Sequence, residues 1–345
     1  MTNNQLDLLR TRRFLPLFLT QSFGAFNDNL YKNAIIFLVT FGVGIGQGIN
    51  ANLLVPMAAG LFILPFFLFS ATAGQLAEIH DKARLIRLIK LVEVVLMVLA
   101  AIALVLHSVP LLMFLLFMMG VQSTFFGPLK FSILPNLLEE HELIAGNAWV
   151  QAGTFVAILI GTLMGKFVLN EQGVWWIGGL MVLMAVAGYL SSRSIPPTEP
   201  AAPDLKLGLN PFAETWNILL HAASRRDILL TILAISWFWL IGATYLTIMP
   251  GFCKHVLGGN ENLVAYFMFV FSIGIAFGSL FCNRMLKGQV HATYVPLGAL
   301  GITLFSLDLY FASRHGTPAG ELIGVSQFLG EAGGWRITAD VLLTA

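Results

Sequence analysis

The strongest constraint on this fold is a succession of apolar stretches, each long enough to cross a membrane. A helix needs about 20 apolar residues to span a hydrocarbon layer of about 30 Å, and a span-length window finds nine such stretches. Charged residues make up 11% of the chain and hydrophobic residues 57%, whereas a soluble domain carries about 25% charged residues. The sequence therefore predicts an all-α integral membrane protein. The predicted spans are residues 14–40, 51–74, 85–107, 109–130, 144–168, 174–192, 228–250, 263–285 and 292–312.

One long polar stretch, residues 193–227, separates the sixth and seventh predicted spans. It is rich in proline and charge, a composition typical of linkers. The pattern predicts a six-helix bundle over residues 1–192 and a partial second bundle over residues 228–345. The last residues, ITADVLLTA, are predicted to begin a fourth span of that second bundle, because under ten helical residues cannot cross a bilayer.

The basic residues predict the orientation. With the N-terminus inside, most Lys and Arg, Lys90 among them, fall in the inner segments. This bias favours a cytoplasmic N-terminus and a cytoplasmic linker. Because the basic residues are spread over loops and not gathered on one face, no nucleic-acid partner is predicted. The outer loops hold Lys166, Lys254, Arg314 and Arg336.

The first predicted span contains an unusual polar run, with Asn27, Asp28, Asn29 and Lys32 inside an apolar helix. An ionised side chain at mid-bilayer costs roughly 2.5–3.5 kcal/mol on insertion scales. Asp28 and Lys32 are four residues apart and could neutralise each other on one helical face. Alternatively, the run faces a water-filled cavity, and this interpretation is favoured because intramembrane charges usually mark pathways or substrate sites.

Two further charged residues leave alternatives open. Lys130 lies near the inner end of the fourth span, where a lysine can reach the interface as an anchor or contact a substrate phosphate. Glu93 lies about 12 Å into the third span. It could line a cavity, serve as a proton site or pair with a neighbouring helix.

Glycines at a spacing of four are typical of closely packed membrane helices. Gly161 and Gly165 form one such pair, and Gly274 and Gly278 form another. Both are predicted to be packing sites.

The loop after the second span, GQLAEIHDKAR, resembles the signature loop of the major facilitator superfamily. The resemblance rests on Gly74, on the acid Glu78, and on the basic Lys82 and Arg84. It implies an inner gate in which the acid pairs with basic residues. The loop departs from the family pattern in having Glu at 78 for the usual Asp, and Ile79 where a basic residue is common.

Three segments resemble the lysophospholipid transporter branch of that superfamily. They are FNDN at 26–29, GPLKFSIL at 127–134 and GNAWVQAGTFVAILIGTLMG at 146–165. The likeness extends to the transporter domain that some bacteria fuse to a lysophospholipid acyltransferase and an acyl-carrier-protein ligase. Gln151 stands where the branch often has Glu. The resemblance implies a substrate site formed by Asn27, Asp28, Asn29, Lys32, Lys130 and Gln151.

The resemblance implies transport of lysophospholipid across a bacterial inner membrane by alternating access. Membrane lipid and an acyltransferase/acyl-carrier-protein ligase are the expected partners. Two alternatives are a proton-coupled small-solute carrier, with Asp28 or Glu93 as proton site, and a non-transporting anchor for a soluble acyltransferase. No enzyme is expected, since no nucleophile–base set is visible. No cofactor or metal is expected either, because the histidines lack metal-ligand spacing.

Overall fold

The computed structural model describes residues 8–41, 51–204, 210–286, 294–314 and 322–345, and the long elements in these ranges are all α-helices. A long helix occupies each of the nine predicted positions, with ends that differ from the prediction by a few residues. Two shorter helices, α7 and α11, accompany them, together with short helical segments at Leu134–Leu137, Glu140–Glu142, Lys166–Leu169 and Val325–Gly330. The helices are α1 (Leu15–Phe41), α2 (Ala51–Ile79), α3 (Lys82–Val105), α4 (Val109–Ser132), α5 (Leu143–Gly165), α6 (Glu171–Ser192), α7 (Pro211–Ala223), α8 (Arg226–His255), α9 (Glu261–Leu286), α10 (Val295–Ser313) and α11 (Gly334–Thr344).

Within the described ranges, seven helices are both long and apolar enough to cross a membrane. They lie in α2 to α6, α8 and α10. α1 has 27 residues but is not among the seven, since its polar run lowers its hydropathy. α9 has 26 residues, of which Glu261–Ile275 form the apolar part. The all-α membrane fold is confirmed, and the count of nine spans stays a prediction.

The chain forms two compact units, Met1–Trp237 and Phe238–Ala345. In the first unit α1 packs along α5 and α6, α2 packs along α4, and α3 packs along α4 and α6. In the second unit α9 and α10 both pack against α11. There the Tyr245 hydroxyl donates to the Ser306 hydroxyl at 2.5 Å, which joins α8 to α10.

The first unit has a buried apolar core at one end, which the predicted orientation makes the cytoplasmic end. It joins the start of α1, the end of α2, the start of α3 and the end of α4. Outside this core, Arg13 forms an ion pair with Glu142 at 2.7 Å, and the Arg87 guanidinium donates to the Ile195 carbonyl at 2.7 Å. The helix ends are therefore held by apolar packing and by polar contacts around it.

Close packing of α1 on α5 depends on glycine. A Cβ at Gly161 would lie 2.6 Å from the Phe26 carbonyl oxygen, and one at Gly165 would lie 2.9 Å from the Asn33 Cβ. The predicted packing role of this pair is confirmed. In the second pair a Cβ at Gly274 would overlap the Leu342 carbonyl oxygen, but one at Gly278 would meet open space, so that prediction was right for Gly274 alone.

The segment predicted as a linker contains the 13-residue helix α7, which the sequence analysis did not anticipate. The Asn210 side chain caps its start by accepting hydrogen bonds from the Phe212 and Ala213 amides at 3.1 and 3.2 Å. Pro211 occupies the first helical position, where its missing N–H is not needed. α7 packs against α2, and the Gln75 amide donates to the Glu214 carboxylate at 2.8 Å.

Candidate functional site

The polar run of α1 has two faces with different environments. Asn27 and Asn33 are buried, at 0% and 4% exposure. Asp28, Asn29 and Lys32 are half-buried. Successive residues of a helix are about 100° apart, so the run presents one face to neighbouring helices and keeps another partly open.

Asp28 and Lys32 have separate partners. The Ser123 hydroxyl of α4 lies 3.0 and 2.9 Å from the two carboxylate oxygens of Asp28 and donates its proton there. The Lys32 ammonium donates to the Asn29 amide oxygen at 3.3 Å and lies 5.7 Å from the centre of the Phe62 ring. In the described part of the chain these two side chains form no direct ion pair and have different hydrogen-bond partners, although the two charges still attract each other.

Glu93 does form an ion pair, and its partner is on its own helix. The Lys90 ammonium lies 2.6 Å from the Glu93 carboxylate, and the side chains of the two residues are 1% and 2% exposed. The same ammonium lies 4.3 Å from the centre of the Phe126 ring. Lys90 is therefore a buried interior residue, although the sequence analysis counted it with the cytoplasmic basic residues.

Two amides complete the surroundings of this ion pair. The Asn27 amide donates to Glu93 at 3.2 Å and to the Met181 carbonyl of α6 at 3.1 Å. The Gln122 amide of α4 donates to Glu93 at 3.2 Å. A buried ion pair offsets its desolvation cost only when such additional hydrogen bonds are present. The interaction of Glu93 with neighbouring helices, left open by the sequence, is made through amides.

The buried ion pair and Asp28 belong to one hydrogen-bonded chain. Gln122 donates to Glu93 through its nitrogen and presents its oxygen to the Ser123 hydroxyl at 3.2 Å. Ser123 in turn faces Asp28. Because its hydroxyl carries a single proton, Ser123 can donate to only one of these acceptors at a time. This series of hydrogen bonds links α1, α3 and α4 and so fixes the position of Asp28.

Asn27 is the polar residue of this run that is most enclosed. Both donors of its amide are used, while its buried Oδ1 has no hydrogen-bond partner in the described structure. The Asn27 side chain contacts α3 and α6, on the side of α1 away from its partly open face. The geometry gives it a positioning role for α1.

The remaining residues implied for substrate binding, Lys130 and Gln151, lie outside this series of hydrogen-bonded side chains. Lys130 is half-buried near the end of α4, with its ammonium 5.0 Å from the centre of the Phe131 ring. It is close enough to Asp28 and Lys90 for both charges to act on it. Gln151 on α5 is exposed and lies outside the buried chain.

In the loop between α2 and α3, the acid with the most contacts is Asp81. It caps α3 by accepting from the Ala83 amide at 2.9 Å, and it accepts from the amide and the hydroxyl of Thr198, both at 3.0 Å. Burial acts to raise the pKa of the Asp81 carboxyl, but the hydrogen bonds from Thr198, Ala83 and Arg84 outweigh it and hold that pKa below its usual value of 3.8. An Asp directly before a helix is a known capping signal, so the sequence contained this information.

The four residues predicted for the gating loop have varied surroundings. Lys82 is buried at 4% exposure, and its ammonium donates to the Asn136 amide oxygen at 3.3 Å. The Glu78 backbone carbonyl accepts from the Ala202 amide at 2.9 Å. Gly74 has open space where a Cβ would be, and Arg84 is exposed. The loop is thus joined to residues 198–202 of the segment that follows α6.

The sequence pattern of the Major Facilitator Superfamily matches residues 14–337. The chain belongs to this superfamily. Its fold agrees, since the structure resembles the crystal structure of a D-xylose-proton symporter with a TM-score of 0.54 and 14% sequence identity, over 96% of this chain and 78% of that one. At this identity the likeness concerns the fold alone.

Within the superfamily, the chain is similar to proteins named lysophospholipid transporter LplT. It is 25% identical to the one from Photorhabdus laumondii over 311 residues, which cover 89% of this chain and 74% of that protein. It is 23% identical to the one from Pectobacterium carotovorum over 330 residues, which cover 92% and 70%. The comparisons support a multi-pass membrane transporter and the resemblance drawn from the sequence.

Proposed function

We propose that this chain moves lysophospholipids across a bacterial inner membrane by alternating access, with its N-terminus in the cytoplasm. The observation that carries the proposal is the half-buried Asp28 carboxylate, which is held by the neutral Ser123 hydroxyl and not by a cation. Lys32, Lys90 and Lys130 attract this carboxylate only at longer range, so its oxygens remain available to a cationic group that approaches the partly open face of α1. The names of the similar transporters support a lysophospholipid as that substrate.

The distribution of charge suits a zwitterionic head group. Asp28 would contact the head-group amine, and Lys32 or Lys130 would contact the phosphate. Ammonium groups donate strong, charge-assisted hydrogen bonds to phosphate oxygens. Asn29, whose oxygen already accepts from Lys32, would hold that ammonium in place. Phe62 and Phe131, which lie beside the two lysines, would offer apolar surface to the start of the acyl chain.

The buried part of the site would have a positioning role. Lys90, Glu93 and Gln122 hold Ser123, and Ser123 holds Asp28. A preorganised carboxylate loses less conformational freedom on binding than a mobile one. In this proposal Asn27 keeps α1 in register with α3 and α6, and Gln151 would contact substrate only in a further conformation of the transport cycle.

The loop around Asp81 would act as the inner gate. Alternating access requires that this end of the first bundle open and close while the substrate site stays near the midplane. The contacts of Glu78, Asp81 and Lys82 with the segment after α6 would break and form again in each cycle. The transported lysolipid would be released for reacylation, and a lysophospholipid acyltransferase/acyl-carrier-protein ligase is the proposed partner.

Reconstitution of the chain into liposomes tests this proposal. Labelled lysophosphatidylethanolamine added outside should appear in the lumen, or in the inner leaflet, faster than in protein-free liposomes. Proton-driven accumulation of a sugar, with no movement of the lysolipid, would instead favour a small-solute carrier. Absence of any flux, together with acyltransferase activity in co-purified material, would favour an anchoring role.

A further inference from the structure

The helix α7 has three distinct faces. Glu214, Thr215 and Ala222 are half-buried on the side that packs against α2, and Ile218, between Glu214 and Ala222 on that side, is 53% exposed. A second face carries large apolar side chains that are open, at 64% exposure for Phe212, 63% for Trp216 and 54% for Leu220. Asn217 is exposed on a third, polar face.

The arrangement is the reverse of that expected for a helix on the surface of a soluble domain. Such a helix turns its apolar stripe inward, whereas α7 turns a carboxylate inward, where Glu214 accepts from Gln75. Its apolar residues follow the spacing i, i+4, i+8 from Phe212 to Leu220 and so form one continuous stripe. Leu219, at 48% exposure, widens the stripe.

The place of α7 in the chain identifies what covers this stripe. α7 ends at Ala223, and α8, which is long and apolar enough to span a membrane, begins at Arg226. Two residues cannot carry the chain far from the bilayer, because an extended residue spans at most about 3.6 Å. Where α8 enters a bilayer, the stripe is therefore within reach of the membrane surface, and Arg225 and Arg226 lie at the junction, where basic residues commonly meet the head groups.

We propose that α7 is an interfacial helix that lies along the membrane surface with Phe212, Trp216 and Leu220 among the lipid acyl chains. An amphipathic helix of this kind inserts its apolar face roughly 5–10 Å into the boundary between head groups and acyl chains. Asn217 then faces water, and α2 flanks the helix on the remaining side. The inference does not depend on which substrate the protein carries.

Site-directed spin labelling of the whole 345-residue chain tests the proposal. The background carries Cys253→Ala and Cys282→Ala, and single nitroxides are attached after Trp216→Cys on the stripe or Asn217→Cys on the polar face as the matched control. The protein is reconstituted into vesicles of phosphatidylethanolamine and phosphatidylglycerol. We expect the ratio of oxygen to nickel-chelate accessibility to be several-fold higher at 216 than at 217.

Equal ratios at the two positions would mean that the stripe faces water and would overturn the proposal. A label at 216 that neither reagent reaches would mean that protein covers the stripe, with the same consequence. If Trp216→Cys does not fold, Leu220→Cys reports on the same stripe. Neither readout involves transport, so failure here is distinguishable from failure of the lysophospholipid assignment.

Discussion

Two ion pairs, Lys90–Glu93 in the first compact unit and Arg336–Asp308 in the second, differ sharply in their burial. In the first unit, Lys90 and Glu93 are almost fully buried and receive hydrogen bonds from two further amides. In the second unit, Arg336 and Asp308 form an ion pair whose side chains are 57% and 39% exposed. The same pairing of charges is therefore enclosed among helices at Lys90 and lies at the surface at Arg336.

The burial of an ion pair determines how strongly the loss of one partner should affect the stability of the fold. A buried ion pair is sensitive to the loss of one partner, because the other charge remains desolvated. An exposed ion pair is easily replaced by solvent, and exposed pairs typically contribute little. The stability of the first unit should therefore depend on the buried ion pair near Asp28, whereas the stability of the second unit should depend much less on the Arg336 pair.

The largest effect is expected from breaking the buried pair. Lys90→Met should lower the free energy of unfolding by about 3–5 kcal/mol, because it leaves the Glu93 carboxylate without its cation. Thermal unfolding in detergent would measure this. The double variant Lys90→Met/Glu93→Gln should recover part of the loss, and a single variant as stable as the wild type would remove the contrast between the units.

The next effect concerns the α1–α5 contact at the level of Asp28. Gly161→Ala should destabilise by about 1–3 kcal/mol, since the added methyl group would press on the backbone of Phe26 and Leu30. Gly60→Ala is the matched control, because a Cβ there meets open space and alanine favours helix. If both variants unfold at the same temperature, the close contact between α1 and α5 is not present in the detergent-solubilised protein.

A smaller effect is expected at the gate loop. Asp81→Ala should destabilise by about 1 kcal/mol through loss of the cap on α3. Since the pKa of Asp81 in the folded protein lies below 3.8, its contribution is present above that pH and is lost as the pH falls through the lowered value.

The difference in stability between Asp81→Ala and the wild type should therefore be constant near neutral pH and shrink only below pH 3.8. Thermal unfolding over a pH series would follow it. A difference that grows as the pH falls would contradict the sign of this argument.

The smallest effect is expected from Arg336→Met in the second unit. Its ion pair with Asp308 is largely exposed, so the unfolding midpoint should change far less than in Lys90→Met, even though the buried carboxyl of Asp340 also loses a neighbouring cation. A decrease in the unfolding midpoint as large as that of Lys90→Met would mean that this pair is enclosed in the membrane. The contrast between a buried and an exposed ion pair would then be wrong.

Much of the fold could be predicted from the sequence, because the length of an apolar stretch is set by the thickness of the bilayer. The nine long helices and the glycine contact at Gly161 follow from local patterns. α7 was missed because a window of membrane-spanning length averages over a 13-residue helix. Asn210 followed by Pro211 is a local start signal that a shorter window would have detected.

The candidate site was only partly predictable, for a physical reason. Helical spacing suggested Lys32 as the partner of Asp28, but the carboxylate is held by Ser123 from another helix. Such a partner depends on how α1 and α4 pack, and no local pattern encodes it. Lys90 was misjudged for the same reason, since a lysine two turns inside α3 looks like an interfacial residue until its neighbours are known.

The most direct test of the account is the uptake of two labelled lysolipids by Asp28→Asn. We expect a roughly tenfold to hundredfold loss of apparent affinity for lysophosphatidylethanolamine, the range expected for one charged hydrogen bond. We expect a much smaller loss for lysophosphatidylglycerol, which has no amine, with the variant present in the membrane at the wild-type level. Wild-type uptake of lysophosphatidylethanolamine by this variant would contradict the central role assigned to Asp28.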